Sequence, residues 1–385
     1  MQKLHLQEFI KSHPNWRTEL TEKPYNIRIK DYDYITVFTY NINADFSIPL
    51  CREARGLMLY NDSPVVCEDL QWTVACQKFN KFFNFQQLEA DSIDWSSAKI
   101  LEKVDGSIVA AWFDLIAERW RFATNNVPFA ELASIDGMSL SGVKNFNDLI
   151  IKAISATGIP NLFSYLDCHV VYIFELVSPY TRIVVHYPTE KLYFLSERNL
   201  FTGKEQSRNE ELLKYFDKPI EYSALNLADC KNIVKEFNYE QEGLVVCDKD
   251  YHRIKIKSED YLRVFKIRGE AGFNEERALE LVLNDQQDDA SSLFPEYKKI
   301  IDKVEELYFE LVSDLRVDLY HYIDDWMIDT VDRKTFAVEF ANKTIYPQLF
   351  YALKDGKCTV SDWTDFLKKT RIDKLWNLMT RKEEK

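Results

Sequence analysis

Glycine and proline are scarce, 10 and 11 in 385 residues, which leaves no room for long flexible linkers, collagen repeats or low-complexity tracts. The seven cysteines, Cys51, Cys67, Cys76, Cys168, Cys230, Cys247 and Cys358, form no CxxC, and none has a histidine at zinc-ligand spacing. Reduced thiols are expected, without a disulfide framework or structural zinc. Long apolar runs are missing too. The longest, Ile108 to Phe113, falls far short of the roughly 20 residues a bilayer span needs, and the opening MQKLHLQEF has no secretory apolar core. A cytoplasmic protein without membrane contact, taken as a monomer, is the expectation. GxGxxG, GxxxxGK[ST] and HExxH are also absent, so a dinucleotide turn, a P-loop and a zincin helix have no support.

Bulky side chains are plentiful. Phe, Tyr and Trp number 25, 21 and 8 in a chain that is 46% hydrophobic and 29% charged, enough to fill two or three cores and to exclude disorder. Acidic residues outnumber basic ones, 62 to 49, for a formal charge of −13, which argues against broad non-specific nucleic-acid binding. The excess is local, however. From Leu283 to Asp332 the chain has 14 acidic and 4 basic residues, so 4 − 14 = −10 of the −13 lies there. Just upstream, Arg253, Lys255, Lys257, Arg263, Lys266 and Arg268 face only Glu259 and Asp260, so a basic working surface is compatible with an acidic chain.

Short β-rich runs punctuate residues 31 to 260: Tyr34 to Phe38, Gly56 to Tyr60, Ile108 to Phe113, Val170 to Glu175, Ile183 to Tyr187, Leu192 to Leu195 and Leu244 to Cys247. They predict antiparallel sheets, with Asp105-Gly106 and Asn125-Asn126 as turns and a more helical stretch from Glu205 to Lys235. After residue 270 the apolar period changes. Ile300, Val304, Leu307, Tyr308, Leu311, Leu315, Leu319 and Tyr322 recur at steps of three and four, an amphipathic helix of about seven turns. Further helices are expected from Phe336 to Leu353 and after Thr359, with Ser361 as N-cap. The fold class is therefore α+β, a β-rich domain at 1–260 followed by an all-helical domain at 261–385.

The most informative string is Leu101-Glu-Lys-Val-Asp-Gly-Ser-Ile108. Lys103, flanked by Glu102 and Asp105, reads either as a surface lysine at a hairpin edge or as a nucleophile. A nucleophilic role needs its amine partly neutral near pH 7, which burial or nearby cations favour and these carboxylates oppose, unless a metal ion neutralises them. Downstream, Glu175 closes one β run and Glu242 opens another. Period two then places Arg253, Lys255 and Lys257 on one strand face, with Ile254 and Ile256 on the other. Three converging cations call for an anion, a polyphosphate above all. A half-exposed strand explains the isoleucines equally well.

Taken in order, Lys103-Val-Asp-Gly106, Phe174-Glu175, Glu242-Gly243 and Lys255-Ile-Lys257 resemble the motif series of the covalent nucleotidyltransferase superfamily. Arg55-Gly-Leu-Met58, Lys81-Phe-Phe-Asn84, Ser178-Pro-Tyr-Thr-Arg-Ile-Val184 and Arg333-Lys-Thr-Phe-Ala337 narrow the resemblance to the RNA ligase 1 family of phage tRNA-repair enzymes. That resemblance implies a nucleotidyltransferase (ATP-grasp-like ligase) domain with an N-terminal addition, and a helical C-terminal domain for tRNA recognition. It implies ATP with Mg²⁺ or Mn²⁺ as cofactors and RNA ends as substrate. A polynucleotide kinase-phosphatase would be the functional partner. It makes Lys103 the nucleophile, Glu242 with Asp105 the metal carboxylates, and Lys255 and Lys257 contacts to the α-phosphate. Arg55, Lys81, Glu102, Asp105, Gly106, Glu175 and Arg182 would bind the nucleotide, Arg55 and Lys81 on the pyrophosphate side. Phe82 and Phe83 read as packing. The chain departs from the family at Asn125, where a basic residue is usual, and His186 is a further local difference. The alternatives are an ATP-dependent DNA ligase or a capping-type enzyme, which place a β-barrel after the last lysine motif, and an inactive RNA-binding relative.

Overall fold

The computed structural model describes residues 3–135, 143–269, 272–327 and 331–380. The chain divides into two units, Met1–Arg263 and Val264–Lys385, so the division falls three residues beyond the one read from the sequence.

The first unit holds three sheets. One is N-terminal and antiparallel, formed by Ile27–Tyr32, Ile35–Tyr40, Arg55–Tyr60 and Val74–Cys76. A second runs in the order Glu205–Gln206, Lys191–Asn199, Val170–Val177, Ser107–Asp114, Arg119–Ala123, again antiparallel. Its central strand, Val170–Val177, is buried along its whole length, which is why, Glu175 apart, that stretch reads as continuously apolar rather than alternating. The third sheet is ordered Glu221–Tyr222, Lys99–Glu102, Gly243–Cys247, Arg253–Lys257, Phe83–Asn84. Its last pair is parallel, a departure from the wholly antiparallel expectation. Phe83 can lie there because its strand arrives from the N-terminal sheet rather than from a hairpin.

Asp105-Gly106 is not a hairpin turn. Lys99–Glu102 and Ser107–Asp114 belong to different sheets, so the four residues between them form a crossover from one sheet to the other. The expected strand Ile183 to Tyr187 is irregular. Val184 and Val185 present their backbone N–H groups to the Asp105 carboxylate, a bonding pattern that no pleated ladder provides. The stretch 205–235 is mixed, with a single 3-10 turn at Leu212–Lys214 and an α-helix at Leu227–Lys235 capped by the Asn226 side chain.

In the second unit the helix Lys298–His321 buries Ile301, Val304, Tyr308, Leu311, Leu315 and Leu319, the stripe that the three-and-four spacing demands. The segment expected as one helix from Phe336 is two, Arg333–Glu339 and Pro347–Lys354, because Pro347 favours a first helical turn over a helix interior. The helix Trp363–Lys368 starts from Asp362 without a side-chain cap bond, so Ser361 is not its cap. These helices share one core around Phe336, Phe350 and Leu367. Among the described residues all seven cysteines are free, and no helix is long and apolar enough to cross a membrane.

Candidate active site

The crossover Lys103–Gly106 opens into a cleft of about 380 Å³ lined by residues of both larger sheets. The Lys103 backbone N–H donates to the Gly243 carbonyl at 2.9 Å, which ties the crossover to the strand entered from Glu242. Gly106 is held to glycine by proximity. A Cβ there would lie 2.4 Å from the Leu176 carbonyl oxygen and 3.0 Å from the Glu175 side chain. Gly243 is held to glycine by its backbone, φ +147, and by the Ile256 carbonyl 2.1 Å from where a Cβ would stand. Gly106 thus lets the crossover lie close against the sheet that holds Glu175, and Gly243 lets two strands of the other sheet approach closely beside Lys103.

Lys103 Nζ donates to Glu242 Oε2 at 2.6 Å, and Lys257 Nζ lies 2.8 Å from Glu242 Oε1. Glu242 is only 4% exposed. Burial raises the pKa of its carboxyl, but Lys103 and Lys257 outweigh that and hold it below the usual range. Burial works against the charge on Lys103, yet Glu242, Glu175 and Asp105 prevail and its pKa is raised. The amine is therefore a cation in this state, contrary to the partly neutral amine expected of a nucleophile, because the carboxylates gathered around it are not neutralised.

The depressed amine is Lys255. Burial, then Arg55, Lys103, Lys81 and Lys257, lower its pKa to about 7. Among the described residues it has no carboxylate partner and only the Phe82 ring, 5.0 Å away. Its strand alternates as period two requires, with Ile254 and Ile256 buried and the three cations facing the other way. Two of those cations are already compensated. Arg253 makes a two-pronged pair with Glu205 at 2.9 and 2.6 Å, and Lys257 pairs with Glu242, so only Lys255 waits for an anion. Glu175, on the central strand opposite Ile108, also lines the cleft. Burial pushes its pKa up to about 8, Lys103 opposing and Glu242 assisting.

Several expected residues sit elsewhere. Asp105, expected as a metal ligand, turns away. Its Oδ2 accepts from Val184 and Val185 N–H at 2.9 Å each, and its Oδ1 from the Tyr261 hydroxyl at 2.8 Å. Three protein donors make it a bracket for the 182–187 loop, and burial raises its pKa. Arg182 donates to the Val184 carbonyl at 2.9 Å and is not among the cleft's lining residues, and exposed His186 is not either. Lys81 lines an adjoining groove, its amine 4.5 and 4.7 Å from the Tyr40 and Phe46 ring centres. Arg55 and Glu102 line the cleft. Arg55 lies 5.1 Å over Phe82, and Glu102 accepts from Ile220 N–H at 3.2 Å. Phe83 is core, whereas Phe82 lines the cleft.

Sequence reading missed the apolar lining of Phe79, Ile108, Leu195 and Val245, the kind of surface a base can pack on. It also missed the buried triad in which Glu205 holds both Arg198, at 2.9 Å, and Arg253. No local string marks Glu205. Asn125 lines the cleft too, with its Oδ1 buried and, among the described residues, without a hydrogen-bond partner.

The family model for RNA ligase matches residues 53–268, more than half of the chain. A bifunctional polynucleotide kinase/RNA ligase of Autographa californica nuclear polyhedrosis virus is 29% identical over 299 residues, 72% of this chain and 40% of that one. An RNA ligase of Rhodothermus phage RM378 is 23% identical over 377 residues, covering 81% of each. A Naegleria gruberi RNA ligase structure with ATP and Mn superposes at a TM-score of 0.33, 10% identity, over 44% of this chain and 52% of that one. The chain thus spans less than half of the viral relative.

Proposed function

The chain belongs to the RNA ligase 1 family, and from that membership we propose that it is an ATP-dependent RNA ligase acting through a lysyl-AMP on Lys103. Its first unit would be a nucleotidyltransferase domain of the ATP-grasp-like ligase kind. The observation that carries the reading is the Lys103 amine, set between the Glu242 carboxylate and a strand face whose one uncompensated cation is Lys255.

The residues present fit a divalent ion brought with ATP. Glu175 is a buried carboxylate whose pKa burial raises against the opposing pull of Lys103 and Arg55, and the Glu242 carboxylate is close enough to raise it further. Two carboxylates are a usual protein share for Mg²⁺ or Mn²⁺, which complete their shells with phosphate and water. Bound there, the ion supplies charge neutralisation of carboxylates and phosphate. Lys103 is then left with burial as the dominant influence, which favours the neutral, nucleophilic amine. Lys255 and Lys257 face the α-phosphate and stabilise the charge that develops on its oxygens. Lys103 attacks the α-phosphorus and pyrophosphate departs. An RNA 5′-phosphate next takes the AMP, and a 3′-hydroxyl finally displaces AMP to close the phosphodiester.

The finer proposal is repair of broken tRNA in the cytoplasm of a host cell, with end healing by a polynucleotide kinase-phosphatase. The kinase/ligase pairing in the viral relative's name supports that association. Incubation with α-labelled ATP and Mg²⁺ tests the reading. Labelled protein should form and give back labelled ATP on adding pyrophosphate, and broken tRNA should be sealed in preference to nicked DNA. Absence of label across metals and pH values overturns it.

A further inference from the structure

Three concavities meet at Arg253: the cleft, a groove of about 580 Å³ and another of about 520 Å³. Their thresholds differ. Besides Arg253, the larger groove shares with the cleft Phe82, whose ring lies within about 5 Å of both Lys255 and Arg55. The smaller one shares Leu101 and Leu195. An anion leaving or entering the cleft passes over the cationic threshold, not the leucines. Six lysines and arginines against three carboxylates line the larger groove, 6 − 3 = +3 with histidine neutral, in a chain of net −13. Beneath it one buried carboxylate, Glu205, serves two arginines. Exposed Lys204 has no carboxylate partner among the described residues. Lys249, 65% exposed, pairs with Asp94 at 3.3 Å and, among the described residues, with no other carboxylate; it lines the smaller groove as well. Tyr251 adds a ring on which a base can stack.

Resting on the ligase reading, we propose that this groove carries the single-stranded RNA that bears the 5′-phosphate, along the path by which pyrophosphate leaves. In-line displacement requires it. Lys103 attacks the α-phosphorus from one side, and the bond to pyrophosphate breaks on the other. In the next step an RNA 5′-phosphate oxygen bonds to that phosphorus while the P–N bond to Lys103 breaks. The electron pair returns to Nζ, which takes up a proton. The incoming phosphate must therefore approach from the side pyrophosphate vacated, and the strand behind it needs a cationic track leading away. Lys204 and Lys249 lie along that track.

The test uses the whole protein and the double variant Lys204→Ala/Lys249→Ala, whose side chains make no buried contact. Binding of a short 5′-phosphorylated oligoribonucleotide is followed by fluorescence anisotropy across salt concentrations, and lysyl-AMP formation is measured with ATP alone. The expected result is affinity weakened at least fivefold and a log–log salt slope shallower by about 1.4, at about 0.7 per lost phosphate contact. Label incorporation should be unchanged, and pyrophosphate should compete with the RNA. Unchanged RNA affinity overturns the groove, as does an equal loss of label and RNA binding. Wild-type protein that takes no label, while the variant still loses RNA affinity, overturns the ligase reading and leaves the groove standing.

Discussion

Lys103 and Lys255 share a cleft and have their proton affinities moved in opposite directions. The cause is which charges face them. Lys103 has Glu242 at 2.6 Å, whereas Lys255 has four cations and a ring. Lys103→Ala and Lys103→Arg should both abolish the covalent AMP adduct, measured as label per protein, while the melting temperature stays near wild type for the arginine variant, which keeps a cation beside Glu242. The two titrating groups also give nucleotide and metal binding opposite proton signatures. Lys255, at about 7, is mostly neutral at pH 7.5, and a phosphate placed against it favours the charged form, so ATP binding there takes up a proton. Glu175, at about 8, is mostly protonated at the same pH, so a metal ion that binds it releases one, and metal affinity should rise with pH up to about 8 and then level. Calorimetry in buffers of different ionisation enthalpy measures both. Lys255→Met should remove the uptake and Glu175→Gln the release. The sequence showed that Lys103 needs carboxylates neutralised around it but could not show where the strain falls, because Glu175 and Glu242 reach Lys103 only through the meeting of two sheets.

Elements explain what was legible and what was not. The alternation of Arg253–Lys257 sits in five consecutive letters, and the fold repeats it residue for residue. The crossover role of Val104 to Gly106 was hidden, since a tight turn and a passage between sheets begin with the same Asp-Gly. The 182–187 loop was misread as a strand for a related reason. Its β-branched run, Ile183-Val184-Val185, has strand-forming residues but bends, and the N–H groups of Val184 and Val185 go to Asp105 instead of a neighbouring strand. Gly106→Ala tests the crossover. Its Cβ would stand 2.4 Å from the Leu176 carbonyl, a backbone atom that cannot rotate aside, so stability should fall by about 1–3 kcal/mol as in other overpacked sites. Adduct formation should fall further than stability accounts for, since a shift of about 1 Å at a reacting group can cost on the order of a hundredfold. A denaturation midpoint and a labelling rate, compared at a temperature where both proteins are folded, separate the two effects.

At the scale of the whole molecule, change of apolar period in the sequence marks a change of unit, and each unit closes its own hydrophobic cores, the second around Phe336, Phe350 and Leu367. The groups proposed above for the chemistry, Lys103, Glu175, Glu242, Lys255 and Lys257, all belong to the first. Within the second, charge is divided. The segment 283–332 is strongly acidic, whereas Arg333 to Thr380 has nine basic and five acidic residues, 9 − 5 = +4, so any RNA contact made by the helices falls on their later half. A chain ended after Gly269 should therefore melt cooperatively and form the AMP adduct within about threefold of the full-length rate, a difference under 1 kcal/mol. Its sealing of broken tRNA should drop far more than its sealing of a generic single strand. Charge reversal at Lys368 and Lys369 in the full chain should shift the same ratio in the same direction and leave labelling untouched. If the truncated chain loses labelling while it still melts as a folded unit, the helical unit takes part in the chemistry of the cleft and the division of labour between the two units is wrong.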